Sequence, residues 1–357
     1  MHDLMLTSTS DPKRTVGRAR HSNGQGRGTL LRGKPGGRLV FRRAALTAAI
    51  GCIWLLTGQP AAAASVDFTA RRDDGSLIYW SLDRQHGGLK QGILVLAQGS
   101  GCLAATENAN IVRAKGLLPD FAVVTVEKYG VRPHDAPKDP FGGCSPAFYA
   151  HHTVSQRVAD YQRVLAQVET SPWWDGRLVS FGGSEGGAAV SMLAPRVRPT
   201  AVVVFSTAPG RSLRQTFKLT VPPEIAAQAD SEFAKIKADP LSPKLWGGNS
   251  YRWWADILDH DLTADLLSVR APILIVHGER DRSGPVQIAR MVRDDFQRDG
   301  RCNLTYWEFP GYDHQMQDAA GASHIDEVMQ RISGWLVAKV STGPSEGCPP
   351  SERSDHE

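Results

Sequence analysis

The stretch Arg177-Leu178-Val179-Ser180-Phe181-Gly182-Gly183-Ser184-Glu185-Gly186-Gly187-Ala188-Ala189-Val190-Ser191-Met192-Leu193 decides how this chain is read. Its first part, RLVSF, is a short apolar run suited to a strand; its last, GGAAVSML, suits a helix. Between them, Gly182-Gly183-Ser184-Glu185-Gly186 is a G-x-S-x-G pattern on a strand-to-helix turn. Such a turn strains the serine backbone and lifts its hydroxyl above the sheet. A Cβ two positions to either side would clash, which accounts for Gly182 and Gly186. The N–H of Glu185 opens the helix, where the macrodipole favours a developing oxyanion. The pattern nominates Ser184 as a nucleophile and the Glu185 N–H as an oxyanion donor.

Further apolar, β-rich runs lie at 92–97 (GILVLA), 121–126 (FAVVTV), 201–205 (AVVVF) and 272–277 (PILIVH). Continuous apolar runs suit strands buried on both faces of a parallel sheet. Helical patterns fall between them, at 107–117, 153–168, 187–193, 286–297 and 323–340. In the second of these, Val154, Val158, Tyr161, Leu165 and Val168 share one face. Residues 65–83 supply one or two more polar strands, suited to an antiparallel edge. Strand–helix alternation of this kind predicts an α/β doubly wound fold. Residues 207–269 break the rhythm: the segment is Pro-interrupted and rich in tryptophan, and reads as a small helical cap. Its Trp246, Tyr251, Trp253 and Trp254 either line an acyl pocket or only pack the cap onto the sheet.

On these residues the chain resembles an α/β-hydrolase over nearly all of 66–340. The family's order of nucleophile, acid and histidine is matched. The run 272–277 leads into Gly278-Glu279-Arg280-Asp281, similar to the family's acid turn, and 303–309 leads into Pro310-Gly311-Tyr312-Asp313-His314, similar to its histidine loop. The resemblance implies that His314 takes the Ser184 proton while Asp281 orients the imidazole and stabilises its charged form, with Glu279 the nearest rival acid. It also implies a second oxyanion donor in Gln98-Gly99-Ser100-Gly101-Cys102. The family usually shows His-Gly where this chain has Gln98-Gly99, so the donor stays open between Ser100 and Gly101, with Ser100 the first choice. Pro172-Trp173-Trp174-Asp175-Gly176-Arg177 ahead of the elbow resembles the prolyl-oligopeptidase-like and dienelactone-hydrolase-like branches, without a preceding propeller. The implied activity is a serine hydrolase with an acyl-enzyme intermediate, acting on carboxylic esters (EC 3.1.1 ahead of EC 3.4). Small-peptide or amide hydrolysis, aminopeptidase-like, is one alternative; a catalytically inactive hydrolase-fold binding protein is another. No metal or other cofactor is expected. His277 reads as strand-end packing, and the adjacent His151 and His152, which point apart without an acidic metal partner, as structural.

The chain has 357 residues, of which 41% are hydrophobic and 22% charged, ordinary globular usage. Ten of its 41 Lys and Arg residues fall in 1–64 against two of its 37 acidic ones, so the rest of the chain is slightly acidic and nucleic acid is not an expected partner. Arg42-Arg43, the 15-residue apolar run 44–58 and the alanines up to Ala64 form a secretory signal with cleavage near Ala64. An uncleaved anchor, or lipidation at Cys52, is the alternative. The expected organisation is an n-region and signal at 1–64, a hydrolase domain at 65–340 and a loose tail at 341–357. The mature protein is then periplasmic or secreted, off the membrane, with a small ester or short peptide as its partner. Four cysteines remain after the signal, and local order pairs Cys102 with Cys144 and Cys302 with Cys348.

Overall fold

Strand and helix alternate through the computed structural model, which describes residues 65–84 and 89–342. The strands are β1 (Val66–Arg71), β2 (Leu77–Asp83), β3 (Gln91–Ala97), β4 (Ala122–Val126), β5 (Trp174–Gly183), β6 (Ala201–Phe205), β7 (Leu245–Trp246), β8 (Asn249–Ser250), β9 (Ile273–Gly278) and β10 (Leu304–Phe309). Eight of them form one sheet in the order β1-β2-β4-β3-β5-β6-β9-β10; β7 and β8 form a separate ribbon. Pairing is parallel from β4 through β10, and β2 runs antiparallel to both β1 and β4. The front strands expected from 65–83 are this antiparallel edge.

The helices are α1 (Ala109–Ala114), α2 (Pro146–His151), α3 (Val154–Val168), α4 (Glu185–Leu193), α5 (Leu213–Thr220), α6 (Pro223–Ala238), α7 (Tyr251–Ile257), α8 (Leu262–Ser268), α9 (Val286–Arg298) and α10 (Ile325–Thr342). Successive strand residues point to opposite faces, and both faces are covered. Ile93, Val95, Val202, Val204 and Ile275 join the apolar stripe of α3 and α4. Leu94, Leu96, Val203, Leu274 and Val276 pack instead with Ile111 of α1 and Val328, Ile332 and Leu336 of α10.

Several boundaries differ from the sequence reading for local reasons. The helix expected over 107–117 is split, because the Asn108 side chain accepts from the N–H groups of Asn110 and Ile111 and restarts the helix there. α2 was not expected, although Ser145 caps it by accepting from Phe148 N–H and Pro146 opens its first turn. β5 begins at Trp174, well before 178, paired with Gln91 of β3. α10 runs to Thr342, past the expected boundary at 340.

The segment 207–269 carries α5 to α8 and the β7–β8 ribbon. Its aromatic residues divide. Phe217, Phe233, Trp246 and the fully buried Trp254 pack on one another, with Trp246 and Trp254 ring centres 4.9 Å apart and the Trp254 indole N–H on the Trp246 carbonyl. The Tyr251 hydroxyl is taken up by Glu232 and Lys244. Only Trp253 of the four residues singled out in the sequence faces the site. The expected leader at 1–64, Cys52 within it, Cys348 and the tail beyond 342 lie outside the described residues. No described helix is long and apolar enough to cross a membrane.

Candidate active site

Ser184 stands between β5 and α4 with φ 54° and ψ −124°, a conformation that a non-glycine residue holds only when its surroundings impose it. The surroundings are visible: Ser184 N–H donates to the Phe205 carbonyl at 3.0 Å, and its own carbonyl accepts from Gly187 N–H at 2.9 Å and from the Thr207 hydroxyl at 2.8 Å. A Cβ on Gly182 would run into the Gly186 carbonyl, and one on Gly186 into the Ala97 carbonyl. The absence of a Cβ at these two glycines permits the turn.

Asp281 and His314 meet across two loops. Asp281 follows β9 and is buried; its Oδ1 accepts from Ser283 N–H and Gly284 N–H, each at 2.8 Å. Its Oδ2 lies 2.8 Å from His314 Nδ1. A carboxylate can only accept here, so Nδ1 carries the hydrogen and Nε2 is left as the acceptor. The rival acid is engaged elsewhere: Glu279 is exposed, and its Oε2 accepts from Gly311 N–H at 2.9 Å. His277 is fully buried beneath the acid, with Nε2 2.6 Å from the Gly284 carbonyl and 3.4 Å from Asp281 Oδ2. Burial holds its pKa below the ordinary imidazole value, so it packs there uncharged.

The loop 98–102 lies directly against Ser184: a Cβ on Gly99 would sit 3.3 Å from Ser184 Cβ. Its far end is held by Cys102 N–H on the Pro140 carbonyl at 2.8 Å and by the Cys102–Cys144 disulfide. Its near end is held by a group the sequence reading passed over. Lys128, fully buried just past β4, donates to the carbonyls of Gly99 at 2.5 Å and Gly101 at 2.8 Å, and pairs with Glu185 Oε1 at 3.1 Å. The same Oε1 faces His152 Nε2 at 3.2 Å and Arg157 Nη1 at 3.4 Å, while Oε2 accepts from the Trp253 indole N–H at 3.1 Å. Burial alone would push the Glu185 carboxyl up, but Lys128, His152 and Arg157 together pull it well below the usual carboxylate range. Burial lowers Lys128 to about 8 and keeps His152 below its ordinary value.

Signals for this cluster exist in the sequence. Glu127-Lys128 follows directly on the buried strand β4, and Arg157 falls on the apolar stripe of α3 between Val154 and Val158. A charge in a buried stripe is paired or costly. His152 was read as structural; it is buried against Glu185, immediately behind the elbow, and His151 stacks on Tyr129.

Ser184, Glu185, Ser100, Gly101 and His314 all line one cavity of about 470 Å³. Phe217, Trp253, Ile257 and Leu262 of the inserted segment contribute to its apolar wall. Among the described residues that line it, the charged or titratable side chains are Glu185 and His314. Among the described residues no group of three or more His, Cys, Asp or Glu side chains is arranged to hold a metal ion.

No protein-family model and no curated protein matches the chain. Solved structures do. Est1E from Butyrivibrio proteoclasticus matches with a TM-score of 0.52 at 14% identity, over 77% of this chain and 99% of that one. The Pyrococcus furiosus esterase Pf2001 matches at 0.51 and 11% identity, over 77% and 91%. The Pyrococcus horikoshii acylaminoacyl peptidase matches at 0.53 and 15% identity, over 80% of this chain but 43% of its own. With its mostly parallel eight-stranded sheet, helices on both faces and these structural neighbours, the chain has the α/β-hydrolase fold.

Proposed function

We propose that the protein is a serine hydrolase of uncharged carboxylic esters. The observation that carries this is the hydrogen bond between His314 Nδ1 and Asp281 Oδ2, which leaves Nε2 a free acceptor in a ring lining the same cavity as the strained Ser184. In this reading Nε2 takes the Ser184 proton as Oγ attacks the ester carbonyl. The oxyanion is held by the N–H groups of Glu185 and Ser100, and the leaving alcohol receives the proton from the imidazolium. Water then repeats the cycle on the acyl-enzyme.

The lining argues for a neutral substrate. An aminopeptidase needs a free carboxylate for the substrate ammonium, and the one carboxylate of the wall, Glu185, is already engaged by Lys128, His152, Arg157 and Trp253. A blocked amino-acid amide carries no such charge; with the acylaminoacyl peptidase among the structural neighbours, it is the second reading. The esterase Pf2001 and a structure of Est1E with ferulic acid bound stand with the first. We also infer export: the Cys102–Cys144 disulfide fits an oxidising compartment, and the leader would be removed near Ala64.

The deciding measurement is turnover of p-nitrophenyl esters of increasing chain length beside aminoacyl and N-acylaminoacyl anilides, for wild type and Ser184→Ala. Ester turnover and fluorophosphonate labelling that both vanish in Ser184→Ala are expected. Labelling that persists in the variant removes Ser184 from the role, and free aminoacyl anilides cleaved faster than esters would overturn the neutral-ester assignment.

A further inference from the structure

The proposed reaction needs two backbone N–H groups held on one point beside Ser184, and they come from different parts of the chain. Glu185 opens α4, whereas Ser100 sits in a loop that follows β3. Gln98-Gly99-Ser100-Gly101 contains two glycines, and such a backbone has little preference of its own for where its carbonyls point. Gly101 sits at φ +86°, and its Cβ space is occupied by the Pro140 carbonyl. The restraints from Pro140 and from the disulfide act on Cys102, and Ala104 N–H is held by the Asp135 carbonyl. They fix the far end of the loop and leave 99–101 to something else.

We propose that Lys128 is the positioning residue that locks the two oxyanion donors to one another. This inference rests on the serine-hydrolase reading above. The ammonium has three N–H donors, and three acceptors surround it: Gly99 O, Gly101 O and Glu185 Oε1. In a trans peptide the N–H points opposite to the preceding C=O. Holding the Gly99 carbonyl on Lys128 therefore turns the Ser100 N–H away from Lys128, and Ser100 lines the cavity. The same ammonium grips the side chain of Glu185, whose backbone N–H is the second donor. One buried cation thus ties the loop to the elbow. The geometry also selects Ser100 over Gly101 as the loop donor, because it is the 99–100 peptide that Lys128 orients directly.

A rival role for Lys128 is plain charge compensation of Glu185. Arg157, His152 and the Trp253 indole already face that carboxylate, so the carbonyl contacts are what Lys128 alone adds. The two roles separate experimentally. Lys128→Met removes both; the pair Lys128→Met with Glu185→Gln removes one charge of each sign and, apart from Arg157 losing its carboxylate partner, leaves the loop carbonyls unheld.

The measurement is kcat and KM on p-nitrophenyl acetate for wild type, Lys128→Met, the double variant and Ser184→Ala. Rates are divided by the fraction of chains that a fluorophosphonate titrates, so a variant that folds only in part is still read. With the loop donor misplaced, the double variant should keep KM within about threefold and lose about 10²-fold or more in kcat, the scale of one oxyanion donor. A double variant with wild-type kcat overturns the proposal, as does one with no titratable Ser184 and no cooperative melt, which would make Lys128 a folding residue only. Wild-type turnover in Ser184→Ala defeats the underlying reading, and this inference with it. Loss in Ser184→Ala beside full activity in the double variant defeats the inference alone.

Discussion

Glu185 and Asp281 are both buried carboxylates just past the ends of two parallel strands of one sheet, β5 and β9, with β6 between them, and they are satisfied in opposite ways. Glu185, after β5, meets full charges: Lys128 and Arg157, with His152 and the Trp253 indole completing its shell. Asp281, after β9, meets two backbone N–H groups and the imidazoles of His314 and, at 3.4 Å, His277. Charge meets charge behind Ser184, so that region has no electrostatic reason to change state. Behind His314 the carboxylate is held by dipoles, and under the proposed function it stays available to stabilise an imidazolium when one forms. Under the proposed function, the first carboxylate builds the site and the second works in it. Replacing each by its amide should separate stability from activity.

The largest expected effect is on the working side. Asp281→Asn keeps an oxygen for the Ser283 and Gly284 N–H groups but no longer fixes the tautomer of His314, and kcat should fall by about 10⁴-fold. The melting temperature should move little, because the hydrogen-bond geometry is retained. A steady-state assay on one activated ester, beside a thermal melt, reads both. A large drop in melting temperature with intact kcat would invert the comparison.

On the building side the pattern should reverse. Glu185→Gln leaves Lys128 and Arg157 buried without their shared counter-charge, a class of change that costs about 3–5 kcal/mol. Chemical denaturation at neutral pH should show a loss of that order. A variant as stable as wild type would mean the cluster is not charge-balanced as described.

The third expectation concerns Glu127, beside Lys128, whose two oxygens take up Ala105 N–H at 3.0 and 3.1 Å. Burial raises this carboxyl from its ordinary 4.5 to about 7, against the pull of the Ala105 hydrogen bond, Arg157 and Lys128. A raised carboxyl binds its proton more tightly in the folded chain. Its stabilising effect is therefore complete below about pH 4.5 and is lost as pH rises to about 7, a difference of about 3 kcal/mol. Glu127→Gln carries no proton to lose. Its stability relative to wild type should climb between pH 5 and 8, and a parallel pair of pH–stability curves would refute this.

These contrasts also mark what was legible in the sequence. The elbow was, because a strained turn leaves local traces: glycines wherever a Cβ would strike backbone. The central strands were, because a strand buried on both faces must be apolar throughout. The Cys102–Cys144 pairing was found from local order alone. The cluster around Glu185 was not, because it joins residues from the end of β4, from α3, from the elbow and from α7 that no short spacing relates. Glu185 was read for its backbone N–H, while its side chain gathers the rest. The division among the cap aromatics was equally hidden: Trp253 and Trp254 are adjacent, yet one reaches Glu185 and the other the Trp246 carbonyl.

The smallest expected effect tests which carboxylate belongs to which class. Glu279 and Asp281 leave the same strand end, and the sequence alone offers both to His314. In the fold Glu279 lies on the exposed side of the turn, with Oε2 on Gly311 N–H, and it helps tie the acid turn to the histidine loop alongside Glu279 N–H on the Phe309 carbonyl and Arg280 N–H on the Tyr312 carbonyl. Glutamine at 279 keeps an acceptor oxygen for Gly311, so the loop is still held and only an exposed charge is lost. An exposed charge that touches neither His314 nor substrate should change kcat by less than about tenfold, under about 1.4 kcal/mol. The same activated ester, assayed at one fixed pH, gives Glu279→Gln and Asp281→Asn side by side. A loss of several thousandfold in Glu279→Gln with a near-normal Asp281→Asn would move the acid to Glu279 and make Asp281 a second structural carboxylate.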